Sequence, residues 1–331
     1  MKIGIWTQPY LDFGGTGSIE EFADTLSEAR VDMVFPCVKS EAHFTGGRAL
    51  AFYRSKLLER GTDRDILAEL CEAGGKRGFE VHPWVCVFLE GNSRFLRENP
   101  QFRAMSFDYM NRASPTGMAC PARREVQDFE LEVLKEIAEY PVSGIHLDFI
   151  RYQGLQSCAC ESCRREFRDE TGFEAEDILS SGAARIAWLK RRRDTITSFV
   201  AKAFELARSR GIKLSAAVFP SYPASADSVG QDWAAWCREG LIDFVVPMNY
   251  TGSGRDFLSR AVEHVVALGG GGRLFEGISK CVEKVRLSPA DLLSQMKMAE
   301  GIGCSGVLVF SYRGFEHKDF QVVRSMKAFD S

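Results

Sequence analysis

The 331-residue sequence lacks any apolar run approaching the ~20 residues needed to cross a bilayer, so no membrane segment is expected. It opens MKIGIWTQPY, a strand-like stretch without the basic, apolar and small-residue succession of a signal peptide, which points to a cytoplasmic protein. An excess of either charge is missing as well: 42 Lys and Arg stand against 45 Asp and Glu, for a net charge of −3. That gives no electrostatic ground for nucleic acid or an anionic membrane as partner. Linkers, low-complexity tracts and short repeats are also missing, so residues 1–331 are read as one domain.

What is present is ordinary for a globular chain with a large core: 45% hydrophobic and 26% charged residues. Ten cysteines fit a reducing compartment, and Cys37, Cys86 and Cys281 sit in or beside apolar stretches where a thiol acts as a small hydrophobe. The basic run Lys190 to Arg193 falls in a helical pattern and is expected to form a solvated face.

Short runs rich in β-branched and aromatic residues recur at Lys2–Thr7, Met33–Val38, Glu80–Phe88, Gly144–Arg151, Leu214–Pro220, Asp243–Tyr250, Leu274–Ser279 and Gly306–Tyr312. Amphipathic patterns of helical period lie between them, at Ser18–Glu28, Asp63–Gly78, Arg123–Tyr140, Ala183–Gly211 and Ser288–Gly301. Eight nearly continuous apolar strands alternating with helices predict an α/β fold, a (β/α)8 TIM barrel, with a doubly wound sheet as the alternative. The longest departures follow strand 3 (Glu90–Met118) and strand 4 (Gly154–Ser181), the latter an insertion over 154–181. Both fall at the C-terminal ends of strands, where barrels keep their chemistry.

Polar and aromatic residues near those ends are the candidates. Strand 3 supplies His82 and Trp84, and strand 4 supplies His146 and Asp148 followed by Arg151. Strand 6 ends in Asn249 and Tyr250, strand 7 holds Glu276, strand 8 leads to Tyr312, and Asp232 follows strand 5. A carboxylate inside an apolar strand is costly unless it is partnered or used, so Asp148 is read as a general acid or base, against a structural pairing with Arg151 or His146. Trp84, Tyr250 and Tyr312 suit the apolar face of a sugar ring. Cys158, Cys160 and Cys163 form a C-x-C-x2-C run just after strand 4. A structural zinc needs a fourth ligand, for which Cys120 is the candidate, with His146 or another cysteine as competitors.

Several segments, taken together and in order, resemble the glycosyl-hydrolase-like 10 group of bacterial barrels: "EVHPWV", "ACPARREVQDFELEVLKEIAEYPVSGIHLDFIRY", "AAVFPSYPASADSVGQDWAAWCREGLIDFVVPMNYT" and "GVLVFSY". The resemblance implies a TIM-barrel glycosidase with Asp148 on the family's strand-4 aspartate. The Cys120-Pro121 pair and Cys158–Phe167 are similar to the four-cysteine zinc cluster of family 42 β-galactosidases, which favours Cys120 as fourth ligand and implies a zinc with four cysteine ligands, Cys120, Cys158, Cys160 and Cys163. Family 42 enzymes carry an Asn-Glu on strand 4 that is missing here, and Ile150 stands where chitinase-type barrels carry a glutamate. The catalytic pair of either relative is therefore not carried over.

The expectation is a glycoside hydrolase acting on a small glycoside or oligosaccharide, with Asp148 as general acid and no organic cofactor. Glu276 is the second carboxylate, at the position where retaining barrel glycosidases keep a nucleophile; Asp232 and Glu90 are its alternatives. His82, Trp84, His146, Arg151, Asp232, Asn249, Tyr250 and Tyr312 are expected to bind substrate. The competing expectations are a non-catalytic carbohydrate-binding barrel, and a sugar lyase or isomerase with a metal on His82, His146 and Asp148. Homo-oligomerisation is left open.

Overall fold

The computed structural model describes residues 1–13, 18–40, 45–107, 113–282 and 285–327. Eight parallel strands form the barrel: β1 (Lys2–Thr7), β2 (Met33–Lys39), β3 in two pieces (Glu80–Val81 and Trp84–Cys86), β4 (Gly144–Asp148), β5 (Lys213–Val218), β6 (Phe244–Pro247), β7 (Phe275–Ser279) and β8 (Gly306–Phe310). Neighbours run β7-β8-β1-β2-β3-β4-β5-β6. The ring closes where Val245 bridges Leu274 and donates its N–H to the Arg273 carbonyl at 3.0 Å. That cyclic order is the (β/α)8 barrel and excludes a doubly wound sheet. Among the described residues, no helix is long and apolar enough to cross a membrane.

β3 is broken where one strand was expected, because Pro83 has no N–H to give the ladder. The neighbouring positions still pair: His82 N–H donates to the Val34 carbonyl, and His146 N–H to that of Pro83, each at 2.8 Å. β2 is buried at every position, as a strand covered on both faces must be. The helix Ile66–Arg77 turns Leu67 and Leu70 inward and stops at Gly78, whose φ of +81° few other residues adopt cheaply. The helix Gly254–Leu268, outside the amphipathic stretches named above, covers β6 and β7 and buries Phe257, Ala261 and His264.

Side chains fill the barrel in levels. His82, Phe244 and Phe275 occupy the lowest, with Phe244 and Phe275 ring centroids 4.4 Å apart. Phe35 and His146 lie above, 4.9 Å apart, and His146 in turn touches Trp6 at 5.7 Å. Gly4 and Gly144 have no side chains because their neighbours take the space: a Cβ on Gly4 would lie 2.5 Å from Leu308 Cδ1 and 2.9 Å from the Phe35 ring, and one on Gly144 2.4 Å from His82 Nδ1.

The departure after β3 contains the helix Arg94–Glu98 and a hairpin of Arg103–Phe107 with Ala113–Ala119; its residues 108–112 lie outside the described ones. The insertion after β4 lies on that hairpin, with Ala159 N–H donating to the Met105 carbonyl at 2.7 Å. It forms its own apolar cluster of Phe107, Phe167, Ile178 and Trp188. Here the solvated face expected of Lys190 to Arg193 needs correction. Arg192 is buried, its Nη atoms donating to the Asp227, Gly154 and Ser228 carbonyls, and its guanidinium stacks 4.7 Å from the Tyr152 ring. Three backbone carbonyls and an aromatic face replace its water, so the run anchors the insertion.

At the end of β2, Lys39 is fully buried. Its Nζ meets Glu130 at 2.7 Å, Glu90 at 2.6 Å and the Val87 carbonyl at 2.5 Å. Burial alone would lower its pKa, but Glu130 and Glu90 outweigh it and hold the ammonium charged. Burial pushes the Glu130 carboxyl well above the usual range. This triad ties β2, the loop after β3 and the helix Arg124–Ile137 together. Lys39→Met would leave two buried carboxyls facing each other and is expected to cost about 3–5 kcal/mol, read as a lower urea midpoint.

Candidate active site at the barrel mouth

A cavity of about 760 Å³ opens at the C-terminal ends of the strands. Its floor and walls are aromatic: Trp6 from β1, Trp84 from β3, Tyr250 after β6 and Phe310 from β8 all line it. Phe310 stacks on Tyr250 with centroids 5.9 Å apart and meets the edges of Trp6 and Trp84 at 6.0 Å each. Among the described residues, Asp148 is the one carboxyl group on this wall, with Arg151 and Arg313 as the cations.

Asp148 reaches the cavity because β4 alternates: Gly144, His146 and Asp148 point inward at successive levels. Its Oδ2 accepts the Trp84 indole N–H at 3.1 Å, and its Oδ1 accepts the N–H of Phe149 at 2.6 Å. Burial raises the carboxyl pKa to about 6 against the lowering effects of the Phe149 N–H, Arg151 and Trp84. Phe149 takes a left-handed backbone, φ +52°, unusual for an aromatic residue. The turn brings both Phe149 and Arg151 to the cavity, and the Arg151 guanidinium lies 4.8 Å from each of the Phe149 and Phe219 rings.

The structure thus brings together Asp148, Trp84, Arg151 and Tyr250. His82 and His146 fill the barrel below them. His82 Nε2 is 2.9 Å from Glu80, and burial lowers its pKa. His146 Nδ1 is 2.8 Å from Ser215 Oγ, and burial lowers its pKa well below the usual value, so its ring is neutral. Tyr312 packs outward on Phe22, 4.7 Å between centroids, while its neighbour Arg313 faces the cavity. Asp232 accepts the Tyr222 hydroxyl at 2.8 Å, off the cavity wall. Trp6 and Phe310 are the members missed in sequence, although each is an aromatic near a strand C-terminus, the criterion that found Trp84 and Tyr250.

Glu276 is the largest displacement from expectation. Phe275 and Gly277 point into the barrel, so Glu276 points out toward the helices. Its Oε1 meets His264 Nδ1 at 2.8 Å, and its Oε2 accepts from Asn249 Nδ2 at 3.2 Å. His264 Nε2 donates to the Pro220 carbonyl at 2.7 Å, and Asn249 Nδ2 also donates to the Phe257 carbonyl at 3.0 Å. Glu276, His264 and Asn249 are all buried and form a network behind the barrel wall. Glu276 and Asn249 therefore do not face a ligand at the mouth, and Glu90 is held by Lys39.

Beside the mouth, Cys120, Cys158, Cys160 and Cys163 are buried with their sulfurs within 4.8 Å of one another, close enough to hold one metal ion. The Cys120 and Cys163 sulfurs are 3.4 Å apart, and those of Cys120 and Cys160 3.8 Å. His146 lies in the barrel and is not the fourth member. Hydrogen bonds among the four thiols drive them apart in acidity, Cys120 upward and Cys160 downward. Among the described residues this is the one group of three or more such side chains placed for a metal; His82, His146 and Asp148 do not form another.

Residues 4–262 match the family described as glycosyl hydrolase-like 10. No curated protein matches the sequence. Among solved structures, the fold is similar to the glycoside hydrolase domain of PgaB (BpsB) from Bordetella bronchiseptica, with 14% identity, TM-score 0.81 and 98% of each chain covered. It is also similar to the β-galactosidase of the psychrophilic Marinomonas ef1, with 11% identity and TM-score 0.71 over 99% of this chain and 59% of that one. Gan42B, a GH42 β-galactosidase from G. stearothermophilus, shares 12% identity with TM-score 0.69, over 99% of this chain and 56% of that one. The chain thus spans little more than half of these two galactosidases.

The Glu276 network makes a direct prediction. Glu276→Ala leaves His264 and Asn249 buried without their partner and is expected to cost about 3–5 kcal/mol in urea unfolding, while the pKa of Asp148 stays unchanged.

Proposed function

Because the chain belongs to the glycosyl hydrolase-like 10 family, we propose that it is a glycoside hydrolase that uses Asp148 as general acid on a small glycoside or oligosaccharide. The observation that carries this reading is the Asp148 carboxyl, set in the aromatic wall of the cavity with burial holding its pKa at about 6. A group in that range is protonated often enough to donate near neutrality and gives the proton up readily. As the glycosidic C–O bond breaks, the proton passes from Asp148 to the leaving oxygen, and the Trp84 and Phe149 N–H donors stabilise the carboxylate left behind. The aromatic faces hold the sugar ring. Water then attacks the anomeric carbon and gives its proton to the Asp148 carboxylate, which restores the acid, or a group that the substrate itself carries makes the first attack.

The single carboxyl on the wall favours a second reading, a carbohydrate-binding barrel without turnover. A panel of 4-nitrophenyl glycosides and short oligosaccharides separates the two, since binding without release of product in every case would leave only the second.

The metal is zinc. Zn–S bonds of ~2.3 Å in a tetrahedron place sulfurs about 3.8 Å apart, near the spacing of the cluster. Four thiolate ligands, from Cys120, Cys158, Cys160 and Cys163, would leave a zinc no open position, and it would clamp the insertion after β4 to the end of the hairpin. The charges of Arg123, Arg191 and Arg192 act on this cluster and offset its negative charge. Protein purified without added zinc is expected to contain about one equivalent, and less than half would contradict the assignment.

Asp148→Asn is expected to lower kcat at least 10²-fold with sugar binding retained, and full activity would refute the acid role. In the wild type, kcat/KM should fall as pH rises through about 6. The folded pKa lies above the unfolded one, so ionising Asp148 weakens the fold between pH ~4 and 6, by up to about 3 kcal/mol. The Asp148→Asn variant should therefore be more stable than the wild type at pH 7 and not at pH 4.

A further inference from the structure

Among the described residues three ionic side chains line the cavity, and two of them are positive, on a chain whose net charge is −3. The Arg151 guanidinium lies 4.8 Å from each of the Phe149 and Phe219 ring centroids, and these two cation–π contacts hold it at the wall. Among the described residues one of its five N–H donors is used, by Nη1 toward the Tyr152 carbonyl at 3.3 Å. Asp148 does not take up the rest, since its hydrogen bonds come from Trp84 and Phe149. Arg313 is exposed at the rim. The charge of Asp12 acts on it, but one oxygen of Asp12 is already committed to Thr7 Oγ1 and Gln8 N–H. A guanidinium held by two aromatic rings, with most of its N–H donors uncommitted among the described residues, is preorganised for a planar anion, which it meets with two parallel N–H bonds.

We propose that the cavity selects sugars bearing a carboxylate, with the edge of Arg151 binding that carboxylate and Arg313 supplying a second positive charge. The inference rests on the mouth being a carbohydrate site and adds the substrate class, uronic acids and their glycosides. Two arginines against one carboxyl also repel amino sugars.

The test is calorimetric titration at pH 7 of Asp148→Asn protein, which prevents turnover. The probes are the methyl glycosides of glucuronic and galacturonic acid, of glucose and galactose and of glucosamine, with glucose 6-sulfate as the non-carboxylate anion. At least one uronide is expected to bind tenfold or more tightly than its neutral counterpart, and the glucosamine glycoside least well. Adding Arg313→Ala, a substitution at an exposed position that leaves the fold intact, should cut the preference several-fold. Arg151→Lys, which keeps the charge and loses the fork, should weaken uronide binding about tenfold and binding of the sulfate less. A neutral or amino sugar binding as tightly as the uronides, tighter binding of the sulfate, a preference unchanged in both arginine variants, or no binding of any probe would overturn the proposal. Uronide-selective binding by a wild type that cleaves no glycoside would remove the hydrolase reading and leave this one. Cleavage of neutral glycosides without anion preference would do the reverse.

Discussion

The two-residue alternation of side chains along β4 is the constraint on which the mouth of this barrel depends. Gly144, His146 and Asp148 share its inner face, and each meets a different level of the barrel. At the lowest level the His82 ring leaves no space for a side chain on Gly144. In the middle, His146 packs neutral against Phe35 and Trp6. Only the third position opens on the cavity, and there a carboxyl meets an indole N–H and a peptide N–H in a wall rich in aromatic rings. A one-residue slip would exchange it for Leu147 and bury the carboxyl behind the sheet.

Keeping that group in place costs free energy, and other parts of the fold offset it. The left-handed backbone at Phe149 is a strain of about 1–3 kcal/mol for a non-glycine residue, and it turns the chain so that Arg151 comes back to the cavity. The segment then leaves as a long insertion with a small apolar core of its own. Four cysteines and the buried Arg192 hold that insertion beside the mouth, and the Lys39 triad holds the neighbouring loop after β3. The Asp148 carboxyl thus sits between two anchored loops on a rigid strand end.

Much of this was legible in the sequence, because it follows from period and position. Eight apolar runs alternating with helical patterns gave the barrel, and the C-x-C-x2-C run with Cys120 gave the thiol cluster. Asp148, Trp84 and Tyr250 were found as polar or aromatic residues near strand ends. What failed was facing. Glu276 and Asn249 lie near strand ends too, but the side they take depends on a single residue of register that Phe275 fixes by packing on Phe244. His82 failed by depth, since its level in the barrel depends on which neighbours are glycine. Arg192 looked like surface because a charged run on a helix usually is, and its carbonyl partners come from residues 154, 227 and 228, remote in sequence.

The protonation of Asp148 tests the central claim most directly. Aspartate labelled with ¹³C at the carboxyl carbon, assigned by comparison with Asp148→Asn and titrated by NMR, reports this group independently of any substrate. A midpoint near 6 is the expected result. A midpoint at or below the ordinary aspartate value of about 4 would mean a solvated or ion-paired carboxylate, and would contradict the proposed role of Asp148 as the proton donor at the barrel mouth.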